Sequence, residues 1–224
     1  MSWVTRLATV AVLFAAACGG LAEDSALLTA GTTWISLSPC LSTCRDVSRE
    51  WTLSQAREAF REGRFEACRK PRPSFGFTRD AIWVRFSMRS GLPDPALWLV
   101  ELRTARMDEL DWYLIRGDGR VEHLAAGNMR PICREMLDNK FPVFPFRLGP
   151  GESVDVFLRI QSETGLHVPL QIWEPKAFIG DQARSEAVFA AFFGYLGALI
   201  LMSLVFSLFT RDRGYVFYSL SLVG

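Results

Sequence analysis

Apolar and polar residues alternate along most of the middle of the chain. The alternation begins with Ile82, Val84 and Phe86, and it returns in five further segments before residue 174. A period of two is typical of β-strands that bury one face. Turn-forming segments such as 91–95 and 117–119 separate these strands, and no helical pattern lies between them. The sequence therefore predicts a mainly β protein, an antiparallel β-sandwich, whose buried residues include Ile82, Val84, Phe86, Trp98, Val100, Leu102, Val154, Val156, Leu158 and Ile160.

One helix is predicted on the N-terminal side of these strands. Thr52 and Gln55 have the spacing of a capping box, in which each side chain bonds the backbone N–H of the other residue. The following segment, QAREAFRE, favours a helix, and Gly63 supplies a residue that can end it. We therefore expect a sandwich with one N-terminal helix.

A transmembrane helix is predicted at residues 187–209. These 23 residues contain no charged side chain. At about 1.5 Å per residue they extend roughly 34 Å, which is enough to cross a hydrocarbon core of about 30 Å. A second apolar run occupies residues 215–224. A complete span needs roughly 20 residues, so we expect 215–224 to be the truncated start of a second transmembrane helix, with an output domain beyond it.

The N-terminus has the pattern of a secretory signal peptide at residues 1–22. It contains one cation, Arg6, then an apolar stretch and a small-x-small cleavage site at Gly20 and Ala22. An uncleaved anchor is the alternative, and Cys18 is a candidate for lipidation. With the signal cleaved, residues 23–184 form a domain outside the cytoplasm and residue 187 begins the membrane segment.

Charge and motifs narrow the function classes. The chain has 25 basic and 24 acidic residues, and a nearly neutral chain is a poor candidate for nucleic-acid binding, which needs clustered cations. No Ser/His/Asp order, glycine-rich phosphate loop or carboxylate pair is evident. We therefore expect a protein that is not an enzyme and that needs no cofactor.

Four cysteines remain in the predicted exported domain, namely Cys40, Cys44, Cys68 and Cys133. An even number of cysteines in an oxidising compartment favours disulfides. Two bonds with three alternative pairings are therefore predicted. A zinc site is the competing interpretation, but no second close cysteine pair is present and the histidines lie far away in the sequence, so we expect no metal.

Five segments of the predicted exported domain carry a resemblance to a receptor family. They are TRDAIWVRF (78–86), DELDWYL (108–114), GNMRP with Arg134 (127–134), VFLRIQS (156–162) and VPLQIW (168–173). In this order they resemble the second type of extracellular domain of the 7TMR-DISM group, seven-transmembrane receptors with diverse intracellular signalling modules. The membrane run that begins near residue 187 resembles the start of that family's seven-helix region.

The resemblance implies a fold and a function. The family's ectodomain is similar to jelly-roll carbohydrate-binding modules, so a jelly-roll-like sandwich and a small-molecule ligand of saccharide type are implied. It also implies a periplasmic sensor region of a bacterial inner-membrane signal-transduction receptor. A membrane-anchored carbohydrate-binding or envelope-attachment module without signalling is the alternative. An exported hydrolase is a third hypothesis, but it would need an acid/base pair that the sequence does not mark.

Candidate ligand-binding residues lie on the strand faces opposite the core and in one long connection. Trp83 and Arg85 share such a face, and Arg159 has the same position on another strand. An aromatic ring beside cations can stack on a sugar and bond its hydroxyls. The alternative is that Trp83 packs under a loop or the N-terminal helix while Arg85 pairs with a carboxylate. Arg130 and Arg134 lie in the connection 127–142, which is either a binding loop or a solvated loop tethered by a cysteine.

Small residues line one ridge of the predicted membrane helix. Ala190, Gly194 and Ala198 recur at intervals of four, and such ridges permit close helix packing. The partner is either another helix of the same protein or a second copy, so a homodimer is one expected assembly.

Overall fold

The computed structural model describes residues 25–68, 73–104, 107–127, 139–163, 165–210 and 221. Four predictions fall wholly or partly outside these residues. They are the signal peptide at 1–22, the loop residues Arg130 and Arg134, the cysteine Cys133 and, apart from Ser221, the second apolar run at 215–224.

Strands make up most of the described chain before residue 175. Two α-helices accompany them in the described residues, α1, Leu53–Arg61, and α2, Pro175–Thr210, together with a short 3-10 helix at Ser38–Cys40. The strands β1 to β13 are, in chain order, Ser25–Leu28, Trp34–Ser36, Ser42–Asp46, Glu66–Ala67, Ser74–Phe77, Ala81–Ser90, Ala96–Leu102, Glu109–Arg116, Val121–Ala126, Val143–Leu148, Ser153–Gln161, Gly165–His167 and Leu170–Trp173.

The strands form two main sheets. The large sheet has the order β4-β3-β6-β11-β8-β9, and β1 joins β6 in a parallel pairing. The small sheet has the order β10-β7-β13-β2, and β5 pairs with β12 in a separate two-stranded ladder. Apart from β1, every pair is antiparallel.

The two main sheets pack face to face around one apolar core. Trp112 from the large sheet stacks on Phe144 from the small sheet, with ring centroids 4.5 Å apart and planes 8° from parallel. The ten residues predicted to be buried are all buried in this structure. The prediction of a mainly β antiparallel fold is therefore confirmed, and the alternation that produced it reflects the inward face of each strand.

Helix α1 begins with the predicted capping box. The backbone N–H of Gln55 donates to Thr52 Oγ1 at 3.4 Å, and the backbone N–H of Thr52 donates to the side-chain Oε1 of Gln55 at 2.7 Å. The helix lies on the outer face of the large sheet, the face opposite the core. There Ala56 is buried in a second apolar cluster with Trp83 and Phe157.

Helix α2 begins at Pro175, well before the apolar run that starts at residue 187. Among the described residues it is the one helix long and apolar enough to cross a membrane. Its first turns lie on the outer face of the small sheet, where Phe178 is buried against Leu99, Val143 and Trp173. From residue 183 most side chains are exposed, as expected for a segment that would face lipid. One helix thus joins the sandwich to the membrane segment.

The structure does not support the predicted disulfides. Cys40, Cys44 and Cys68 are not bonded to one another, although each of the three pairings would require one bond among them. Ser42 opposes Ala67 in the ladder between β3 and β4. Cys44 and Cys68 are therefore separated by about 10 Å along the strands, which is too far for a disulfide. Any bond to Cys133 lies outside the described residues.

The sequence pattern does not indicate β1–β5 or β9. Most of these strands have five residues or fewer, so they are too short to display a clear period of two.

Candidate functional site

Trp83 lies on the outer face of the large sheet, as predicted, but it is not open to solvent. Its side chain is fully buried beneath α1. One side of the ring stacks on Tyr113, with centroids 6.0 Å apart and planes 18° from parallel. The prediction that Trp83 offers a stacking surface to a sugar therefore needs correction. The structure has the alternative arrangement, in which this tryptophan packs under the N-terminal helix.

Arg85 is also held by its neighbours. Its guanidinium pairs with Asp155 at 2.5 Å and lies 4.3 Å above the ring of Phe60 on α1. The buried Arg85 Nε receives no acceptor from the described residues. Arg85 thus combines one satisfied ion pair with one unused donor, and an unused buried donor is costly unless something bonds it.

Arg159 is the centre of a polar network on the same outer face. It pairs with Glu109 at 3.1 Å and with Asp111 at 3.4 Å, and it donates to the Arg49 carbonyl at 2.8 Å. Asp111 in turn lies 3.0 Å from His123 Nε2. With this many partners, Arg159 links three segments of the domain, so it contributes to the structure of the sandwich.

Asp46 shapes the loop that meets Arg159. The Asp46 carboxylate is buried and accepts bonds from the Arg49 and Trp51 amides at 2.9 and 3.0 Å. These bonds support Arg49 in a left-handed conformation, with φ of 63°, and direct its carbonyl toward Arg159 Nη2. Asp46 therefore positions both the loop and the start of α1.

A cavity of about 580 Å³ opens beside α1 on this face. We call it the outer cavity. Arg85 and Arg89 line it, as do Asp155, Phe60 and several serine side chains. At its edge Arg116 bonds Glu122 and Glu152, each at 2.7 Å. Burial acts to raise the pKa of Glu152, but bonds from the Gly149 amide and the Arg116 guanidinium lower it overall.

A second cavity, of about 500 Å³, lies where α2 meets the small sheet. We call it the junction cleft. The residues that define it come from β2, β13, the residue that follows β7 and the first turns of α2; they are Trp34, Arg103, Gln171, Trp173, Asp181 and Arg184.

The junction cleft rests on a buried carboxylate. Glu101 Oε2 accepts a bond from Trp173 Nε1 at 3.0 Å and lies 3.4 Å from Arg103 Nε. Arg103 also reaches Asp181 on α2 at 3.2 Å. Burial raises the pKa of Glu101, and the Arg103 guanidinium and the Trp173 indole oppose that rise only in part. This chain of contacts connects the small sheet to the membrane helix.

The structure shows where the predicted site residues lie, and ligand binding by them stays a prediction. Trp83, Arg85 and Arg159 share the outer face of the large sheet, and Arg85 lines the outer cavity there. The junction cleft was missed. The sequence pattern that could have indicated this cleft is the alternation in β13. There Gln171 and Trp173 face away from the core, whereas Leu170 and Ile172 point into it. Among the described residues no group of three or more metal-binding side chains comes together.

Comparison with known proteins identifies the family of the domain. No curated protein matches the chain with significant similarity. The family model described as 7TMR-DISM extracellular 2 matches residues 38–174, which is more than half of the chain and includes every strand of the two main sheets except β1 and β2. The chain therefore belongs to the 7TMR-DISM extracellular 2 family.

Proposed function

We propose that this chain is the ligand-sensing region of a bacterial inner-membrane receptor, with residues 23–184 in the periplasm. The family is an extracellular receptor domain, and α2 is apolar and long enough to cross a membrane. The domain's role in this proposal is to recognise a small molecule of saccharide type and not to catalyse a reaction.

The observation that carries the proposal is the direct contact between the sandwich and α2. Phe178 is buried in the sandwich, and Asp181 pairs with Arg103 of the small sheet. The same helix then continues without interruption to Thr210. A stiff helix seated on the sensor domain can transmit a change in that domain, provided that the ligand binds two arrangements of the domain with different affinity.

The test uses the full chain in lipid nanodiscs. Spin-label side chains are introduced as noncanonical amino acids at position 121, on exposed β9, and at position 208, near the end of α2. The distance between the labels is measured with and without a panel of saccharides. A sensor requires that a bound saccharide change this distance. Binding with an unchanged distance would favour the anchored-module alternative and contradict the sensor.

A matched pair of variants tests the route of transmission. Phe178→Ala removes the buried contact of α2 with the sandwich. It should leave the helix in the membrane but abolish the ligand-induced distance change. Ile179→Ala is the control, because this neighbour in the same turn is 66% exposed. If both variants respond like the parent chain, transmission does not pass through the Phe178 contact.

A further inference from the structure

The junction cleft is formed jointly by the sensor domain and the membrane helix. One wall consists of Trp34, Gln171 and Trp173 on the small sheet, and the other of Asp181 and Arg184 on α2. A molecule in this cleft would contact both parts at once. The outer cavity differs in this respect, because the residues that line it all precede α2.

Trp34 offers an aromatic surface in the cleft. Its side chain is 53% exposed. Trp173 supports it, with ring centroids 6.0 Å apart and planes inclined by 30°. Trp173 is itself held by its bond to Glu101 and by an edge contact with Phe178, with centroids 6.1 Å apart. The exposed indole is therefore fixed by neighbours, as a stacking platform must be.

Polar groups beside this platform have unused capacity. The buried Gln171 Oε1 receives no hydrogen bond from the described residues. Arg184 forms no ion pair with a described carboxylate, and its side chain is exposed at the rim. Asp181 pairs with Arg103 through one oxygen, and a carboxylate has further acceptor sites. The cleft thus presents acceptors at its floor and wall and a donor at its rim.

We propose that the junction cleft binds a saccharide, with one face of a pyranose ring stacked on Trp34. Its hydroxyl groups would donate to Gln171 Oε1 and Asp181 and accept from Arg184. A pyranose combines an apolar ring face with hydroxyls around its edge, which is what this arrangement of groups can bond. A volume of about 500 Å³ lies within the range of about 300–1,000 Å³ that is common for small-molecule sites.

This inference rests on the proposed sensor function and gives it a location. A saccharide in the cleft would bond the small sheet through Gln171 and α2 through Asp181 and Arg184. Its affinity would then depend on how α2 is seated on the sandwich, which is the differential binding that coupling requires.

The experiment measures saccharide binding to the full chain in nanodiscs by calorimetry and by saturation-transfer NMR. The probes are methyl glucoside, methyl galactoside, N-acetylglucosamine and glucuronic acid. Trp34→Ala should weaken the binding of the best probe by about tenfold, which corresponds to about 1.4 kcal/mol. Trp34→Phe should retain part of the affinity, and Arg184→Ala should also weaken binding. Phe77→Ala is the matched control, because this aromatic residue is 88% exposed and lies outside the cleft.

The outcomes separate this inference from the proposed function. If a probe binds and Arg85→Ala weakens it while Trp34→Ala and Arg184→Ala do not, the junction site is overturned and the sensor proposal stands. If no probe binds, the junction site is likewise overturned. If Trp34→Ala and Arg184→Ala weaken binding but the distance between positions 121 and 208 stays constant, the site holds and the sensor function fails.

Discussion

The sandwich has two outer faces, and a helix lies on each of them in a different way. Helix α1 covers the large sheet through an apolar cluster that includes Trp83, Phe157 and Ala56. The first turns of α2 touch the small sheet mainly through Phe178, next to a chain of polar contacts from Glu101 to Asp181. One helix is therefore seated by extensive apolar burial, whereas the other is seated mainly by one aromatic side chain and one ion pair, between Arg103 and Asp181.

The difference between the faces indicates which of them can respond to a ligand. Moving α1 would expose the large buried aromatic side chains beneath it, which is costly. Moving α2 would uncover Phe178 and the small patch of Leu99, Val143 and Trp173 beneath it, and it would break one partly exposed ion pair, which contributes little. A modest ligand-binding free energy is therefore sufficient to move α2 on the small sheet but not to move α1 on the large sheet. Variants in the two regions should differ accordingly in stability.

The largest expected effect comes from Trp83→Ala. This change removes a fully buried indole from beneath α1, and a truncation of this kind typically costs about 3–5 kcal/mol. Trp34→Ala is the matched control, because Trp34 is half exposed, and it should cost about 1 kcal/mol or less. Both values are measured by denaturant unfolding of the full chain in detergent. Equal losses in the two variants would contradict the contrast between the faces.

Arg159→Met should have the next largest effect. The change leaves Asp111 and Glu109 beside an apolar side chain, and breaking a buried ion pair by removing one partner costs about 3 kcal/mol. The control is Arg120→Met, because the pair between Arg120 and Asp118 is largely exposed and should contribute about 0–1 kcal/mol. The same unfolding measurement applies. A loss for Arg159→Met no greater than that for Arg120→Met would show that the network is not structural.

Sequence reasoning recovered the core of this fold because burial on one face leaves a local signal. Val154, Val156 and Leu158 alternate with polar or outward-facing neighbours, and each of them is buried. The capping box of α1 is equally local, since it depends on residues three positions apart. These features need no knowledge of distant contacts, so one sequence is sufficient to predict them.

The site was harder to predict because its contacts join distant residues. Trp34 and Trp173 meet only through the pairing of β2 with β13, and Asp181 reaches Arg103 across 78 positions. The prediction for Trp83 failed for a different reason, which is burial by a neighbouring helix. Its position on an outward strand face was correctly predicted, but the same position becomes buried once α1 folds over it. Alternation identifies the face of a strand, but it does not show what covers that face.

Asp181→Asn should have a small effect on overall stability and a larger local one. Its ion pair with Arg103 is about one third exposed, so the free energy of unfolding should fall by about 0.5 kcal/mol. Hydrogen exchange in residues 175–182 should nevertheless become faster, because the pair helps to seat α2 on the small sheet. Asp118→Asn, in an exposed turn, is the control. Unchanged exchange in residues 175–182 would show that the pair between Arg103 and Asp181 does not help to seat the helix.

The smallest expected effect is on pH dependence, and it has opposite signs in the two regions. Burial raises the pKa of Glu101, so the folded state holds this proton more tightly than the unfolded state does. The free energy of unfolding should therefore fall as pH rises from the usual glutamate range through the raised pKa. The groups facing Glu101 are the Trp173 indole and Arg103, which Asp181 also contacts. Glu101→Gln should remove this fall.

Glu152, beside the outer cavity, has a lowered pKa, so its contribution to the free energy of unfolding is present above the usual glutamate range and is lost as pH falls through the lowered value. Glu152→Gln should therefore remove a rise in stability with pH. The free energy of unfolding of each variant, measured across the acidic pH range, gives its slope with pH. If both substitutions change this slope in the same direction, the assignment of Glu101 as the desolvated carboxylate of the junction is contradicted.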